Sequence, residues 1–316
     1  MTEPMGQRRK KGRPVSGWLI LDKPLGMTST QAVSVVRRLF GAQKAGHAGT
    51  LDPLATGMLP IALGEATKTV PYVMDGRKIY AFSVRWGEET TTDDAEGAVV
   101  ATSDLRPDRE AIEAALDAFT GEILQVPPAF SAIKVEGDRA YDLAREGEVV
   151  ELAARPVEIH RLDLVGMPDA NTASFEAECG KGTYVRAIAR DLGRALGTRG
   201  HVVALRRLLV GPFGEEAMIK LDELRSRAEA EGPEALEPLL APVEAALSEL
   251  SELRVTDSEA GRLRNGQGFI VRGRPEAANG DLCFATCRGT LIAIGEIERG
   301  EFKPSRVFPP EAARAD

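Results

Sequence analysis

Apolar residues near the start of the chain recur with the spacings of a short strand and of a helix. Residues 17–23 (GWLILDK) form a nearly continuous apolar run, which predicts a strand with little exposure to solvent. Val36 and Phe40 lie four positions apart, a spacing that places side chains on one face of a helix. Ser29 or Thr30 can cap that helix, since a hydroxyl oxygen accepts a hydrogen bond from a free backbone N–H. The pattern therefore predicts a strand followed by a helix.

Two later segments alternate apolar and polar residues, as strands with one covered face do. The first spans residues 78–86 and places Tyr80 on its apolar side. The second spans residues 175–179, and a glycine-rich turn connects it to a helix whose apolar face carries Ile188 and Leu192. Because strand-and-helix units occur in both parts of the chain, we expect an α/β domain.

The character of the sequence changes at several points, and these changes predict the domain boundaries. Residues 1–14 are basic with nothing to bury, which indicates a flexible tail ahead of a large domain over residues 15–252. Within that domain, residues 127–156 are polar, interrupted by glycine and bounded by prolines, which predicts an excursion from the core. Residues 253–310 contain short strands separated by turns, typical of a small β-barrel-like module, and residues 311–316 form a tail.

The composition is typical of a folded globular protein, with 43% hydrophobic and 28% charged residues. No apolar run approaches the ~20 residues of a membrane-spanning helix, and no apolar segment follows the basic N-terminus. We therefore expect a cytoplasmic protein without membrane attachment. The three cysteines, Cys179, Cys283 and Cys287, are odd in number and lack the paired spacing of a zinc site. We predict neither disulfides nor zinc.

The net charge of −8 argues at first against a nucleic-acid partner, but the charges are unevenly distributed. Acidic residues concentrate in residues 215–259, whereas basic residues cluster in residues 8–13 and 181–207. Within the acidic part, residues 215–253 read as helices broken by Pro233, Pro238 and Pro242. An acidic total can therefore coexist with a basic face. Each cationic side chain taken alone is more often a solvated charge. Together, five of them could form an RNA-binding track: Lys181, Arg190, Arg194, Arg206 and Arg207.

One carboxylate, Asp52, lies in a loop rich in glycine and proline, with no second acid and no cysteine near it. Such a residue is usually an ordinary turn former. Its surroundings favour a second interpretation, because Pro53 restricts the backbone of Asp52 while Gly49 and Gly57 allow close backbone approach. A carboxylate held in one direction is suited to act as a nucleophile.

Four segments, in this order, resemble the TruB family of bacterial tRNA pseudouridine-55 synthases. They are LDKPLGMTS (21–29), GHAGTLDPLATGMLPIALGEATK (46–68), KGTYVRAIARDLG (181–193) and HVVALRRL (201–208). The C-terminal strands resemble the PUA RNA-binding module that this family carries. The resemblance implies a mixed, largely antiparallel sheet flanked by helices, followed by that module. It also implies that the substrate is uridine in the TΨC arm of tRNA.

The resemblance assigns roles to residues in the first half of the site. Asp52 matches the catalytic aspartate of the family. His47 matches a histidine that enters the substrate arm and helps to displace the target base, and Tyr80 matches a tyrosine that stacks on the extruded uracil. From the residues alone, Tyr80 could equally be a core tyrosine, and His47 a loop histidine bonded to backbone.

The resemblance assigns further roles to residues in the last two of the four segments. Tyr184 matches a tyrosine of the base pocket, Arg186 matches the arginine that pairs with Asp52, and Leu205 matches a leucine of the pocket wall. Without the motif, Arg186 would be taken for a surface helix arginine. The excursion at residues 127–156 matches a thumb that closes on RNA. A guanidinium beside a carboxylate stabilises its ionised form, as a nucleophile requires.

The chemistry predicted for Asp52 needs one carboxylate and neither a metal nor a redox cofactor. We expect a monomer whose partner is tRNA. One competing hypothesis is an RNA-binding or tRNA-folding assistance protein that uses the same surfaces without catalysis. Another is a hydrolytic nucleosidase, which would release free uracil and leave an abasic RNA.

Overall fold

The structure is a computed structural model that describes residues 12–131, 134–135, 138–139, 152–271 and 280–310. Its α-helices are Ser29–Leu39 (α1), Val70–Asp75 (α2), Arg109–Leu116 (α3), Val185–Ala195 (α4), Leu221–Glu231 (α5) and Asp257–Arg264 (α6). Its strands in the first half of the chain are Gly17–Lys23 (β1), Ala45–His47 (β2), Ala55–Leu63 (β3), Lys78–Trp86 (β4), Glu88–Thr90 (β5), Val99–Thr102 (β6), Gly121–Gln125 (β7), Lys134–Val135 (β8) and Asp138–Arg139 (β9). Those in the second half are Arg155–Asp169 (β10), Thr172–Cys179 (β11), Gly200–Val210 (β12), Ile219–Lys220 (β13), Ser251–Arg254 (β14), Phe269–Ile270 (β15), Leu282–Cys287 (β16), Thr290–Glu298 (β17) and Glu301–Val307 (β18).

A large mixed sheet runs through the first 220 residues. Among the described residues it has nine strands in the order β13-β1-β3-β12-β4-β11-β10-β7, with β2 added on β3. The pairs β1/β13 and β3/β12 are parallel, and the other pairs are antiparallel. The predicted α/β fold with a mixed, largely antiparallel sheet is confirmed.

Helix α1 begins at Ser29, one residue earlier than a cap at Ser29 would allow and two earlier than a cap at Thr30 would allow. Its N-cap is Thr28, and a capping box joins Thr28 and Gln31, so two N–H groups at the helix start are satisfied. The prediction of Ser29 or Thr30 as the cap was wrong. Ser29 instead lies buried inside the helix, where its hydroxyl bonds the main chain of Leu51, a residue of the loop that carries Asp52.

The main core lies between one face of the large sheet and helices α1 and α4. Val36 and Phe40 are buried there, as their spacing predicted, together with Ile188 and Leu192 of α4. Phe82, on the apolar side of β4, packs in the same cluster. The two helices therefore lie on the same side of the sheet, and their N-terminal ends approach the same loop.

The other face of the sheet is covered near β1 and β3 by a second apolar cluster. Trp18 and Met58 pack there against Leu247 of the short 3₁₀ helix Val243–Leu247 and against Phe308 near the chain end. The acidic stretch forms α5 and three 3₁₀ helices, Glu215–Ala217, Pro233–Leu239 and Val243–Leu247, so the prediction of helices is confirmed. Pro233 and Pro242 lie at helix starts as expected, but Pro238 lies inside a helix and does not break it.

The C-terminal strands form a separate five-stranded sheet in the order β14-β16-β17-β18-β15. Its core includes Leu253, Ile292, Ala293 and Phe302, and helix α6 packs against it through Leu263. The short strands predicted beyond residue 253 are therefore present. The first strand, β14, begins at residue 251 and spans the predicted boundary between residues 252 and 253.

Two predicted segments fall mainly outside the described residues. They are the basic tail at residues 1–14, of which residues 12–14 are described, and the excursion at residues 127–156, of which only the two ends and β8 and β9 are described. The described part of the chain contains no helix that is both long and apolar enough to cross a membrane.

Candidate active site

Asp52 lies in the loop that connects the antiparallel strands β2 and β3. Its side chain is 35% exposed, so the carboxylate is reachable from solvent without being freely mobile on the surface. Gly49 and Gly57 both have positive φ angles, of 94° and 92°. At Gly57 an added Cβ would lie 2.4 Å from the carbonyl oxygen of Arg207, which excludes any side chain there. The predicted close backbone approach around Asp52 is therefore present.

The segment between β1 and α1 holds this loop from one side. The Ser29 hydroxyl donates to the carbonyl oxygen of Leu51 at 2.9 Å and accepts from the N–H of Leu51 at 2.8 Å. The N–H of Gly26 donates to the carbonyl oxygen of Pro53 at 2.8 Å. The residues on both sides of Asp52 are thus fixed through their main chains, which orients the carboxylate.

Lys23 supports the same segment from within the protein. Its ammonium group donates to the carbonyl oxygens of Pro24 at 3.0 Å and Met27 at 2.8 Å, and the residue is fully buried. Burial lowers the pKa of Lys23 to about 8, and the negative charge of Asp52 opposes that shift. Lys23 therefore holds the segment that contains Pro24 and Met27. Gly26 in this segment bonds the loop of Asp52.

Arg207 holds the loop from the opposite side. It is only 1% exposed, and its guanidinium donates to the carbonyl oxygens of Met58 at 2.8 Å, Gly49 at 3.1 Å and Thr50 at 3.2 Å. These acceptors lie before and after Asp52 in the chain. One buried cation therefore ties together the two sides of the loop.

The prediction of a five-residue basic RNA track was wrong for Arg207 and for Arg190. Arg190 is 7% exposed and bonds the Asp93 carboxylate at 2.9 Å, so neither guanidinium is presented to a solvent-borne phosphate. Arg194 is paired with Glu89. The remaining two are also paired with carboxylates, Arg206 with Asp22 and Lys181 with Asp75.

Arg186 forms the predicted ion pair with Asp52. The Nε atom lies 2.9 Å from Oδ2 of Asp52, and the arginine is only 5% exposed. The other guanidinium nitrogens donate to the carbonyl oxygens of Thr92 at 2.9 Å and Phe130 at 3.0 Å, and Asp94 lies 3.6 Å away. The guanidinium is therefore fixed on every side, and Arg186 is not a surface residue of its helix.

Tyr80 and Leu205 lie on neighbouring strands beside the loop. Burial raises the pKa of the Tyr80 phenol, while the charges of Arg207 and Asp52 act on it in opposite directions. Leu205 is buried in β12, in register with Ala55, three residues after Asp52. Both side chains are therefore close to the loop, as the resemblance implied.

His47 occupies the last position of β2, immediately before the loop. Burial lowers the pKa of its imidazole, and the positive charge of Arg207 lowers it further. Among the described residues, Nδ1 of His47 is buried without a hydrogen-bond partner. A hydrogen bond with the main chain of Gly49 opposes this lowering of the pKa, so His47 is bonded to the backbone of the loop, as the second of its two sequence-based interpretations has it.

Tyr184 is the N-cap residue of α4, two positions before Arg186. Burial raises the pKa of its phenol, and the charges of Arg186 and Asp52 also act on it. Its main chain is bonded by Gln125, a residue that the sequence did not single out. Tyr184 and Gln125 line a cavity of about 120 Å³ at the base of the 127–156 segment.

A larger cleft opens beside the loop. Its volume is about 530 Å³, within the range of small-molecule sites, and Leu54, Thr56 and Leu205 lie in its wall. Leu54 is two residues from Asp52. Of the predicted site residues, Leu205 lies in the wall of this cleft, whereas Asp52, Tyr80 and Arg186 do not. The cleft therefore adjoins the end of the loop at Leu54 and is not formed around the carboxylate.

Sequence reasoning missed several residues that build the site: Lys23, Ser29, Asp94, Gln125 and Arg207 as a loop anchor. Lys23, Ser29 and Arg207 carried a signal, because all three fall within segments singled out for their resemblance. Within the described residues, no group of histidine, cysteine, aspartate or glutamate side chains could hold a metal ion. The three cysteines are buried free thiols.

Comparison with known structures relates nearly the whole fold to one class of protein. The chain superposes on one from the crystal structure of a Cbf5-Nop10-Gar1 complex with a TM-score of 0.75 and 25% identity, covering 99% of this chain and 94% of the other. Residues 37–185 match the model of the TruB family pseudouridylate synthase N-terminal domain. Residues 186–248 match the model of the tRNA pseudouridylate synthase B C-terminal domain. The fold and the family models place the chain in the pseudouridylate synthase class.

Curated relatives narrow the class to one family. A tRNA pseudouridine synthase B of Bradyrhizobium diazoefficiens is 62% identical over 304 residues, covering 96% of this chain and 88% of the relative. One of Agrobacterium fabrum is 59% identical over 314 residues, covering 98% of this chain and all of the relative. The chain belongs to the TruB family of pseudouridylate synthases.

Proposed function

We propose that this protein converts uridine 55 in the TΨC arm of tRNA to pseudouridine, with Asp52 as the nucleophile. The observation that carries the proposal is the geometry of Asp52. Its carboxylate is 35% exposed, and the buried guanidinium of Arg186 orients it from 2.9 Å away. The curated relatives, which are named tRNA pseudouridine synthase B, support tRNA as the substrate.

The proposed reaction is an isomerisation. The bond between N1 of uracil and C1′ of ribose breaks, the base turns within the site, and C5 bonds to the same ribose carbon. The proton on C5 leaves and N1 gains one, so atoms and electrons balance without an added reagent. Asp52 supplies the one group that this exchange needs, by attacking the sugar or the base or by removing a sugar proton.

The other predicted residues act on the extruded base. Tyr80 and Tyr184 offer aromatic faces to a uracil whose removal from the RNA stack costs a few kcal/mol, and Leu205 closes the pocket wall. His47 is placed at the last position of β2, directly before the loop, where its ring can enter the substrate arm and help to displace the base. Arg186 keeps Asp52 directed at the nucleoside.

The experiment compares wild type with Asp52→Asn on unmodified tRNA, mapping pseudouridine by position. We expect pseudouridine only at position 55 with wild type and none with the variant, while both bind tRNA with similar affinity. Asp75→Asn, which changes an exposed carboxylate, is the control and should keep its activity. Turnover by Asp52→Asn near the wild-type rate would show that the nucleophile is another group.

The same assay separates the competing functions. If wild type binds tRNA without forming pseudouridine, the protein is an RNA-binding or folding-assistance protein. Free uracil together with an abasic product identifies a nucleosidase instead. Either result overturns the proposed isomerisation.

Three further expectations belong to this proposal. Residues 253–310 act as a PUA-like RNA-binding module, residues 127–156 act as a thumb over the RNA, and the protein works as a cytoplasmic monomer. Analytical ultracentrifugation of the protein with and without tRNA tests the last of these. One protein per tRNA is expected, and a stable dimer of the free protein would contradict it.

A further inference from the structure

Gln125 bonds both main-chain groups of Tyr184. Its Oε1 atom accepts from the N–H of Tyr184 at 2.8 Å, and its Nε2 atom donates to the carbonyl oxygen of Tyr184 at 3.2 Å. Gln125 is the last residue of β7 and is only 2% exposed. The side-chain amide therefore pairs with Tyr184 as a neighbouring strand would, by satisfying one donor and one acceptor of the same residue.

The main chain of Tyr184 has little other support, although its phenol also bonds the side chain of Ser131. It is the N-cap of α4 with an extended backbone, φ −107° and ψ 112°, and its side chain makes no capping bond. An N-cap residue lies outside the helical hydrogen-bond ladder, except that its carbonyl accepts the first helical bond. Here that bond comes from Ile188 at 3.2 Å. The pair of bonds from Gln125 therefore fixes the direction in which the Tyr184 ring leaves the backbone.

The same region connects to Asp52. Arg186, which pairs with Asp52, also donates to the carbonyl oxygen of Phe130, and Arg190 donates to that of Val126 at 2.7 Å. The stretch of chain that begins at Gln125 is thus bonded at three points to the start of α4. Tyr184 and Arg186 are held against a single stretch of backbone.

We propose that Gln125 is a positioning residue for the reaction, which sets the Tyr184 ring for the extruded base through the Tyr184 main chain. This inference rests on the proposed function, since it needs Tyr184 to meet the base. Gln125 itself touches no reacting atom. Loss of the Gln125 side chain therefore affects the step after tRNA binding, in which the extruded base enters the pocket.

The kinetic consequence is a separation of kcat from binding. Gln125→Met keeps the length of the side chain and removes both hydrogen bonds. We expect kcat to fall about tenfold to a hundredfold, since small displacements of a positioned group cost about that much. The affinity for tRNA, measured by binding in the Asp52→Asn background, should stay unchanged. Gln43→Met, which also removes a bond to a backbone carbonyl but at Gly12, is the matched control and should leave kcat unchanged.

A double-mutant cycle with Tyr184→Ala identifies the route of the effect. If Gln125 acts through the Tyr184 ring, Gln125→Met causes no further loss of kcat once the ring is absent. A general structural role would lower kcat by the same factor with and without the ring, and that result would overturn the inference. If Gln125→Met does not fold, Gln125→Glu, which keeps the bond from the Tyr184 N–H, carries the same cycle.

The outcomes distinguish this inference from the proposed function. If wild type forms pseudouridine and Tyr184→Ala is impaired while Gln125→Met and Gln125→Glu are not, only the positioning role of Gln125 is overturned. If wild type forms no pseudouridine, or Tyr184→Ala is as active as wild type, the proposed function or the proposed role of Tyr184 fails, and the inference fails with it.

Discussion

The loop around Asp52 and the core of the C-terminal sheet are held by different kinds of contact. Around the loop, the anchoring side chains are buried and polar: Lys23, Ser29 and Arg207 all bond backbone carbonyls. In the C-terminal sheet the buried side chains include Ile292 and Phe302. Its charged residues pair on the surface instead, as Arg288 does with Asp257 and Lys303 with Glu298.

This difference shows what each region has to achieve. Apolar contacts stabilise a fold in proportion to buried area, without selecting a direction. A buried polar group is tolerated only when it is hydrogen-bonded, and the bond fixes both partners in orientation. The loop needs a defined direction for one carboxylate, whereas the buried core of the sheet needs only to be stable. We therefore expect substitutions in the two regions to affect activity and stability differently.

The largest effect is expected from Arg186→Met. The change breaks the ion pair with Asp52, takes the guanidinium donor from the carbonyl of Thr92 and removes the positive charge beside the buried Asp94. We expect pseudouridine formation to fall by about a hundredfold to a thousandfold. The free energy of unfolding should fall by ~3–5 kcal/mol, since a buried charge is left uncompensated. Timed assays on tRNA and thermal unfolding measure the two effects.

Phe302→Ala is the comparison from the other region. Phe302 is fully buried and packs on Phe269 with ring centroids 5.6 Å apart, so its truncation should destabilise the protein by ~3–5 kcal/mol. The value of kcat at saturating tRNA should stay within about twofold of wild type. A loss of kcat as large as that of Arg186→Met would contradict the division between a directing region and a stabilising one.

An intermediate effect is expected within a pair of neighbouring arginines. Arg207→Met leaves the carbonyls of Gly49, Thr50 and Met58 without their donor, which should cost ~3 kcal/mol of stability. Arg206→Met removes a partly exposed ion pair, which should cost less than about 1 kcal/mol. Denaturant unfolding of both variants measures the difference. Equal losses would show that the buried bonds of Arg207 do not hold the loop.

The smallest effect is expected from His47 and depends on pH. Burial and the charge of Arg207 place the pKa of His47 in the folded protein below its unfolded value of about 6.5. As the pH falls through about 6.5, the unfolded chain takes up this proton before the folded one does, so acid favours unfolding. Wild type should therefore lose stability relative to His47→Gln between pH 7.5 and pH 5.5.

Thermal unfolding at the two pH values measures this difference, with His160→Gln as the control. His160 is 38% exposed and lies 3.5 Å from the Glu158 carboxylate, so its replacement controls for the loss of a histidine from the surface. An identical pH dependence in wild type and His47→Gln would show that His47 is not held in its neutral form by its surroundings.

Most of the fold could be predicted from local patterns. The alternation over β4 and the spacing of Val36 and Phe40 report which side of an element is buried, because strands and helices have fixed periods. The helix start was misplaced because several hydroxyl residues follow one another there. Thr28 forms a capping box with Gln31. The Ser29 hydroxyl bonds the main chain of Leu51 instead, a residue of another part of the fold.

The candidate site was predicted in part. The residues that were missed or misplaced are polar side chains whose role depends on their surroundings in the fold. Asp52 and Arg186 were named through motifs, and the structure brings them to 2.9 Å. Arg207 and Arg190 were expected to face RNA, because a sequence shows the charge of a side chain and not its surroundings. Gln125 gave no signal, since a glutamine at the end of a strand is usually an ordinary surface residue.

The sequence by itself determined the strands, the helices, the sharp loop and the position of one isolated carboxylate in it, because these follow from backbone preferences and short-range periodicity. The tertiary structure alone decided which polar side chains are buried and what they hold. Arg207 meets carbonyls that lie 149 to 158 positions earlier in the chain, and Arg186 meets a carbonyl 94 positions earlier. Such contacts depend on how the sheet and helices pack, which no local pattern encodes.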